Sequence, residues 1–371
     1  MNRKQPLVSL WTAALCLLVL GKFSSAVAAG DLPTMTRQVV LARSGSGYQW
    51  QLETAPLPRL GADQVLIEVH AAALNHGELE LLGPDGGHDR SGFVVGSDVA
   101  GEIIAVGSSV HDFRKGERVV TLYFNNWTQG PFNHVILADQ HGWNTPGVFA
   151  DYLVRDATSI AQVPTGLTYE EAATLPTAGL TAWTAVTLAR RVQPGDVALL
   201  QGTGGVSMFA LQFARAMGAR AIITSSSDGK LARAHALGAS DLINYRTTPQ
   251  WADQVRSLTH QHGADLIVDV GGKDTLEQSL ASLADDGTLS LVGGLTGFDG
   301  KLPEGPLVFK RARAQGIYVG SRADYMRMAA FIAGHHLHPV IDRVFPLSQY
   351  QQALAYMQGG GFVGKVVIRW R

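Results

Sequence analysis

The chain has 371 residues, 46% of them hydrophobic and 16% charged, and its 30 basic and 31 acidic side chains leave a net charge of −1. Disorder is excluded by the apolar content, and the length suits two domains of about 150 residues each. The charge balance offers no footprint for nucleic acid, and a single cysteine, Cys16, excludes a disulfide framework and any zinc site built from several cysteines.

In chain order, Arg3 and Lys4 precede a largely apolar run over residues 7–21, and small residues follow, with Ala26 and Ala28 in an A-x-A arrangement before Ala29. This is the layout of a secretory leader occupying residues 1–29. The run is short of the ~20 residues that a membrane span needs, so no membrane association is expected after cleavage. Cleavage removes Cys16 and places the protein in the periplasm or outside the cell. A start at Met35 gives a cytoplasmic protein instead.

Residues 36–156 read as β-rich, with strands expected at 38–41, 64–71, 99–106 and 118–122. From about residue 168 short buried strands alternate with helices. The strands are expected at 197–200, 221–224, 241–243, 266–269, 288–292 and 317–319, and the helices at 206–217, 230–237, 251–259 and 275–283. Six strands with crossovers make a doubly wound parallel sheet, so the fold class is α/β with a second, β-rich domain. The tail, residues 324–371, reads as two helices and a closing strand.

Gly202-Thr203-Gly204-Gly205-Val206-Ser207 lies between the first strand of the alternation and its helix. Glycines there permit a tight turn and let the backbone approach a pyrophosphate at the helix N-terminus. Gly202, Gly204, Gly205 and Val206 are therefore cofactor-binding candidates, as is Gly293 beyond the fifth strand. Ser207 stands at the third glycine position and is small enough for close packing. The second strand ends in Ser225-Ser226-Ser227 with no acid at its tip, Lys230 follows, and Tyr245-Arg246 close the third strand. Hydroxyls and cations at Ser225, Ser226, Lys230 and Tyr245 suit a 2′-phosphate and favour NADPH over NADH. The alternative is that Asp228 takes the ribose-binding role of an NAD enzyme.

Four ordered segments make the chain resemble the medium-chain dehydrogenase/reductase superfamily. They are Leu74-Asn75-His76-Gly77-Glu78, Gly96-Ser97-Asp98-Val99-Ala100-Gly101-Glu102, Leu175-Pro176-Thr177-Ala178-Gly179-Leu180-Thr181, and Gly364-Lys365-Val366-Val367. The resemblance implies a GroES-like catalytic domain over 36–165 completed by 321–371, a Rossmann domain over 166–320, and a homodimer. It also implies that Asn75, Ser97 and Thr177 stand where the zinc-dependent branch has Cys, His and Cys. None of the three is a good zinc ligand, so no metal is expected. The resemblance puts Thr181 against the nicotinamide, Asn75 on the substrate carbonyl and His76 in reach as proton source. The tyrosine that many enone reductases carry soon after the first segment is missing. Tyr123, Phe124 and Trp127 are candidates for an aromatic pocket.

Without a metal to polarise a carbonyl, an acceptor that delocalises charge itself is favoured. The leading expectation is NADPH-dependent reduction of a quinone, enone or related carbonyl, a small-molecule substrate. The alternatives are an alcohol dehydrogenase-like enzyme without zinc and a non-catalytic nucleotide-binding member of the fold. With the phosphate loop and Asn75 on different domains, the two are expected to act independently.

Overall fold

The computed structural model describes residues 32–84 and 87–371. The expected leader therefore lies outside the described residues. The strands in chain order are β1 (Met35–Ser44), β2 (Gly47–Pro56), β3 (Gln64–Ala73), β4 (Asp98–Val106), β5 (Arg118–Thr121), β6 (Tyr152–Asp156), β7 (Ile160–Gln162), β8 (Val197–Gln201), β9 (Arg220–Ser225), β10 (Asp241–Asn244), β11 (Ala264–Asp269), β12 (Leu283–Leu291), β13 (Arg313–Gly316), β14 (Ile341–Pro346) and β15 (Lys365–Arg369). The helices used below are α1 (His76–Glu80), α2 (Leu180–Thr187), α3 (Gly205–Ala216), α4 (Asp228–Ala236) and α5 (Arg322–Gly334).

Six strands form a parallel sheet in the order β10-β9-β8-β11-β12-β13. Counted within the sheet this is 3-2-1-4-5-6, the doubly wound order whose crevice at the first strand receives a dinucleotide. Its first strand, β8, is buried along its whole length. Helices on both faces demand that, and Val197-Ala198-Leu199-Leu200 supplies the unbroken apolar run. A seven-stranded sheet runs β14-β15-β3-β4-β5-β7, with β6 also on β3. In it the C-terminal strand β15 pairs antiparallel with β3, Val367 opposite Ala73. Both ends of the chain thus build one sheet.

The sixth strand of the parallel sheet departs from expectation. It is Arg313–Gly316, and residues 317–319 lie beyond its end. As the edge strand it carries polar Arg313 and Gln315. The apolar Ile317 and Val319 are buried against the helices instead, which drew the sequence reading too far along the chain. The β1–β2 hairpin was also not expected as a pair; its register runs Leu41 opposite Trp50.

Candidate active site

The site gathers residues from four segments. Asn75 follows β3 and precedes α1, and its N–H donates to the Glu78 carboxylate. This half of a capping box turns Glu78 inward, leaving it only 4% exposed. Ser97 and Asp98 lead into β4. Thr177 sits in a π-helical turn, Leu175–Gly179. Pro176 has no N–H to give to regular helical bonding, and such turns recur where a helix delivers a side chain to a site. Lys365 opens β15.

Hydrogen bonds join these side chains into one buried network. Asn75 Nδ2 donates to Ser97 Oγ at 3.1 Å and to Asp98 Oδ2 at 2.8 Å. Thr177 Oγ1 donates to Asp98 Oδ1 at 2.6 Å, and Ser97 Oγ donates to Glu78 Oε1 at 3.2 Å. Lys365 Nζ donates to Leu74 O and to Asn75 Oδ1, both at 2.5 Å. Lys365 is 3% exposed.

Two carboxylates and one ammonium thus share a dry volume. Burial and the Asp98 charge push Glu78 up to about 7, against the pull of Lys365 and the Asn75 N–H. Burial also raises Asp98, opposed by Lys365 and by hydrogen bonds from Thr177 and Asn75. Lys365 is pushed down by burial while Asp98 and Glu78 hold it up. A charged group so enclosed persists because its partners surround it.

The phosphate loop is built as its residues dictate. Gly202 takes φ +72, a conformation that favours glycine. Helix α3 begins at Gly205 with no side-chain cap, leaving its first N–H groups for an anion. Gly202, Gly204, Gly205 and Val206 remain partly exposed. Ser207 is buried and donates to Gln201 O at 2.6 Å, which ties the helix back onto β8.

The loop also meets the buried network, which corrects the expected independence of the two. Gly364 N–H donates to Thr203 O at 2.8 Å. A Cβ on Gly205 would lie 2.6 Å from Lys365 Cδ. The Lys365 stem therefore packs on the cofactor loop while its ammonium holds the Asn75 amide.

At the far end of the loop, Ser225 and Asn244 are in register across β9 and β10. This brings Ser225, Ser226, Tyr245 and Arg246 to one edge. Lys230, in the first turn of α4, reaches the Gly360 carbonyl. Asp228 accepts from Asn244 Nδ2 at 2.6 Å. Gly293 follows β12, where its N–H donates to Asp269 O at 3.4 Å. Thr181 is buried at the start of α2, four residues after Thr177.

Two catalytic expectations change. Asn75 was expected to donate to a substrate carbonyl, but both its amide hydrogens are directed to Ser97 and Asp98 and its oxygen accepts from Lys365. It organises the network. His76 was expected as a proton source; its side chain is 55% exposed and its ion-pair partner is Glu80 at 3.8 Å, so the fold does not bring it into the network.

Tyr123, Phe124 and Trp127 do come together. Tyr123 and Phe124 pack edge to face at 4.9 Å, and Phe124 and Trp127 at 5.5 Å. Sequence reading missed two further members of this wall. Phe132 lies 5.4 Å from Trp127, and Tyr318 lies 6.3 Å from Tyr123 and 5.9 Å from Phe124. It also passed over Glu78, Asp98 and Lys365. Their signal was a charge set among apolar residues, in segments already singled out for their neighbours.

A family model described as alcohol dehydrogenase GroES-like domain matches residues 61–165, and one described as zinc-binding dehydrogenase matches residues 205–334. A zinc-type alcohol dehydrogenase-like protein of Schizosaccharomyces pombe is 39% identical over 321 residues, covering 84% of this chain and 92% of the relative. A solved structure from Sinorhizobium meliloti, provisionally described as an alcohol dehydrogenase, is 37% identical with a TM-score of 0.85, covering 91% of this chain and all of that one. A structure described as an NAD-dependent alcohol dehydrogenase is 31% identical with a TM-score of 0.78, again over 91% of this chain and all of that one.

Proposed function

Because the chain belongs to the medium-chain dehydrogenase/reductase superfamily and is an NAD(P)-dependent, alcohol dehydrogenase-like oxidoreductase, we propose that it uses NADPH, without zinc, to reduce an activated double bond or a quinone. One observation carries the reading. The positions corresponding to the metal ligands of the zinc-dependent branch hold Asn75, Ser97 and Thr177, and the Lys365 ammonium donates into them. Zinc takes Cys, His or carboxylate ligands. Here the amide and hydroxyls are engaged with one another and with Asp98, beside a fixed positive charge that repels a second cation. Glu78 and Asp98 are the carboxylates of this network, and among the described residues they do not join a group of three zinc-type ligands, which supports a site that works without the metal.

Lewis-acid help is worth several kcal/mol at a simple carbonyl oxygen. Enones and quinones need less, because the added electrons spread over a conjugated system. A dinucleotide, when bound, would supply a hydride; Gly202, Gly204, Gly205 and Val206 would hold its pyrophosphate, and the aromatic wall would offer a flat face for a conjugated acceptor.

The metal prediction is that exhaustive dialysis against a strong chelator leaves activity on a cyclic enone or a benzoquinone intact. Elemental analysis accompanies the assay. Stoichiometric zinc whose removal abolishes activity would end the proposal.

For the cofactor, Asp228 Oδ1 accepts from Asn244, Ser225, Ser226 and Tyr245 lie together at the ends of β9 and β10, and Lys230 follows in the first turn of α4, bonded to the Gly360 carbonyl. This arrangement supports NADPH. Lys230 has three donors, so two remain for a phosphate while one holds Gly360. Lys230→Glu replaces an attraction with a repulsion and is expected to weaken NADPH binding by roughly ten- to a hundredfold, the scale of a charge-assisted hydrogen bond. NADH binding is expected to change little. Fluorescence titration of both reduced cofactors checks this, and wild-type binding of NADH as tight as NADPH refutes it.

A further inference from the structure

Buried polar atoms in a folded chain nearly always find a hydrogen-bond partner. Among the described residues six buried side-chain atoms find none in the protein, and three of the six line one cavity of about 240 Å³. They are both ring nitrogens of His141 and Nε of Arg155. We propose that this cavity binds a small oxyanion that carries a proton of its own, with hydrogen phosphate as the type, and that the occupant ties the segment 139–147 to β6. No residue of the network around Lys365 lines the cavity, and the inference does not rest on the reductase reading.

Charge is the first support. Arg155 stands on β6 opposite Val65 of β3. Its Nη1 donates to Val154 O at 2.9 Å and its Nη2 to Gly147 O at 2.8 Å. Both acceptors are neutral carbonyls, so among the described residues the hydrogen bonds of this guanidinium reach no carboxylate. A buried cation in that position is stabilised by an anion. Burial pushes Arg155 down to about 10, against the pull of Asp156, and it stays charged at neutral pH. Its Nε–H is a charge-assisted donor without an acceptor.

Hydrogen-bonding capacity is the second. His141 is 2% exposed. Burial and the Arg155 charge push its imidazole well below the ordinary range, while the Pro146 carbonyl pulls the other way. A neutral imidazole offers one N–H and one lone pair. The occupant must therefore accept a hydrogen bond from Arg155 and donate one to His141. Hydrogen phosphate does both, whereas sulfate only accepts and a metal ion would meet the guanidinium charge. Two carboxylates also line the cavity, and each is already engaged. Asp139 accepts from the amides of Asn125, at 2.6 Å, and Asn126, and Asp156 accepts from Gln64 Nε2 at 2.9 Å. Asp156 is exposed, so water and salt screen its charge.

Position is the third. His141 N–H donates to Tyr123 O at 3.1 Å. Two residues on, Trp143 covers Gly77, where an added Cβ would lie 2.8 Å from the indole ring. Gly142 presses on the backbone of Gly96, and Gly147 on that of Val95 and Gly96. The segment that lines the cavity thus packs directly on the chain around Asn75 and Ser97. An oxyanion shared by His141 and Arg155 braces that segment against β6.

Equilibrium dialysis against radiolabelled inorganic phosphate tests this at neutral pH, with NAD⁺ and NADP⁺ both in excess so that the phosphate loop is filled. Saturable binding of one phosphate per chain is expected, and sulfate is expected to compete at least about tenfold more weakly. Arg155→Met keeps the stem and removes the charge. Phosphate affinity is then expected to fall by roughly ten- to a hundredfold, the scale of one charge-assisted hydrogen bond. His141→Phe keeps a buried ring and removes the lone pair, so phosphate is expected to lose its advantage over sulfate. Circular dichroism checks that each variant is folded. If Arg155→Met does not fold, the sulfate comparison and His141→Phe decide. Absence of saturable binding overturns the inference, as does wild-type affinity in a folded Arg155→Met. Sulfate that competes as well as phosphate overturns it too, since His141 would then not read the proton.

Discussion

Replacing Lys365 with methionine is expected to destabilise the protein by about 3–5 kcal/mol at pH 8, the range for removing one partner of a buried charge cluster. Methionine matches the stem, so the packing against Gly205 survives and the loss reports the ammonium. In its absence Asp98 and Glu78 face each other in a dry volume with no cation, and the Asn75 oxygen loses its donor. The carboxylates then retain protons to higher pH. The deficit should therefore shrink on going from pH 8 to pH 5, where protonation relieves the repulsion. Chemical denaturation at the two pH values measures this. Dinucleotide affinity should also fall, because the amide network and the loop share this side chain. Wild-type stability for Lys365→Met at pH 8 would show that the ammonium does not balance the cluster.

The pH dependence of stability should carry a distinct contribution from Glu78. Its pKa in the folded protein is raised to about 7 from an ordinary value of 4.5. Between those values the folded state binds more protons than the unfolded state, so this contribution is full below about pH 4.5 and is lost as pH rises through about 7. The size is on the order of 3 kcal/mol, from roughly 2.5 pH units at 1.36 kcal/mol each. Glu78→Gln removes the titration and keeps an acceptor for the Asn75 N–H. It should match wild type at low pH and exceed it at pH 8, with the gap opening between about pH 4.5 and 7. Parallel melting curves across that window, with no gap, would show that Glu78 ionises normally.

Much of the architecture is legible in the sequence because it is written in local periodicity. A strand covered on both faces must be apolar throughout, and Val197-Ala198-Leu199-Leu200 is. A helix that receives a phosphate must start at glycines, and Gly204-Gly205 follows that strand directly. The replacement of the third glycine by Ser207 is readable too, since a small residue suffices there. Edge strand β13 is not readable in this way: Arg313-Ala314-Gln315-Gly316 lacks the apolar signal because only one side of it is paired.

The sequence by itself determined the doubly wound sheet and the phosphate loop, because each depends on residue type at short spacing; that Asn75, Ser97 and Thr177 stand at the ligand positions of the zinc-dependent branch came from the resemblance. Only the tertiary structure decided what those residues do. Asn75 and Lys365 lie 290 positions apart, and no local pattern tells that an ammonium at the start of a C-terminal strand will hold an amide at the end of β3. The same holds for Tyr318, whose ring meets that of Tyr123 although the two lie far apart in the chain. Burial marks a charged or phenolic side chain as significant; which partner it meets is set by the crossing of distant segments.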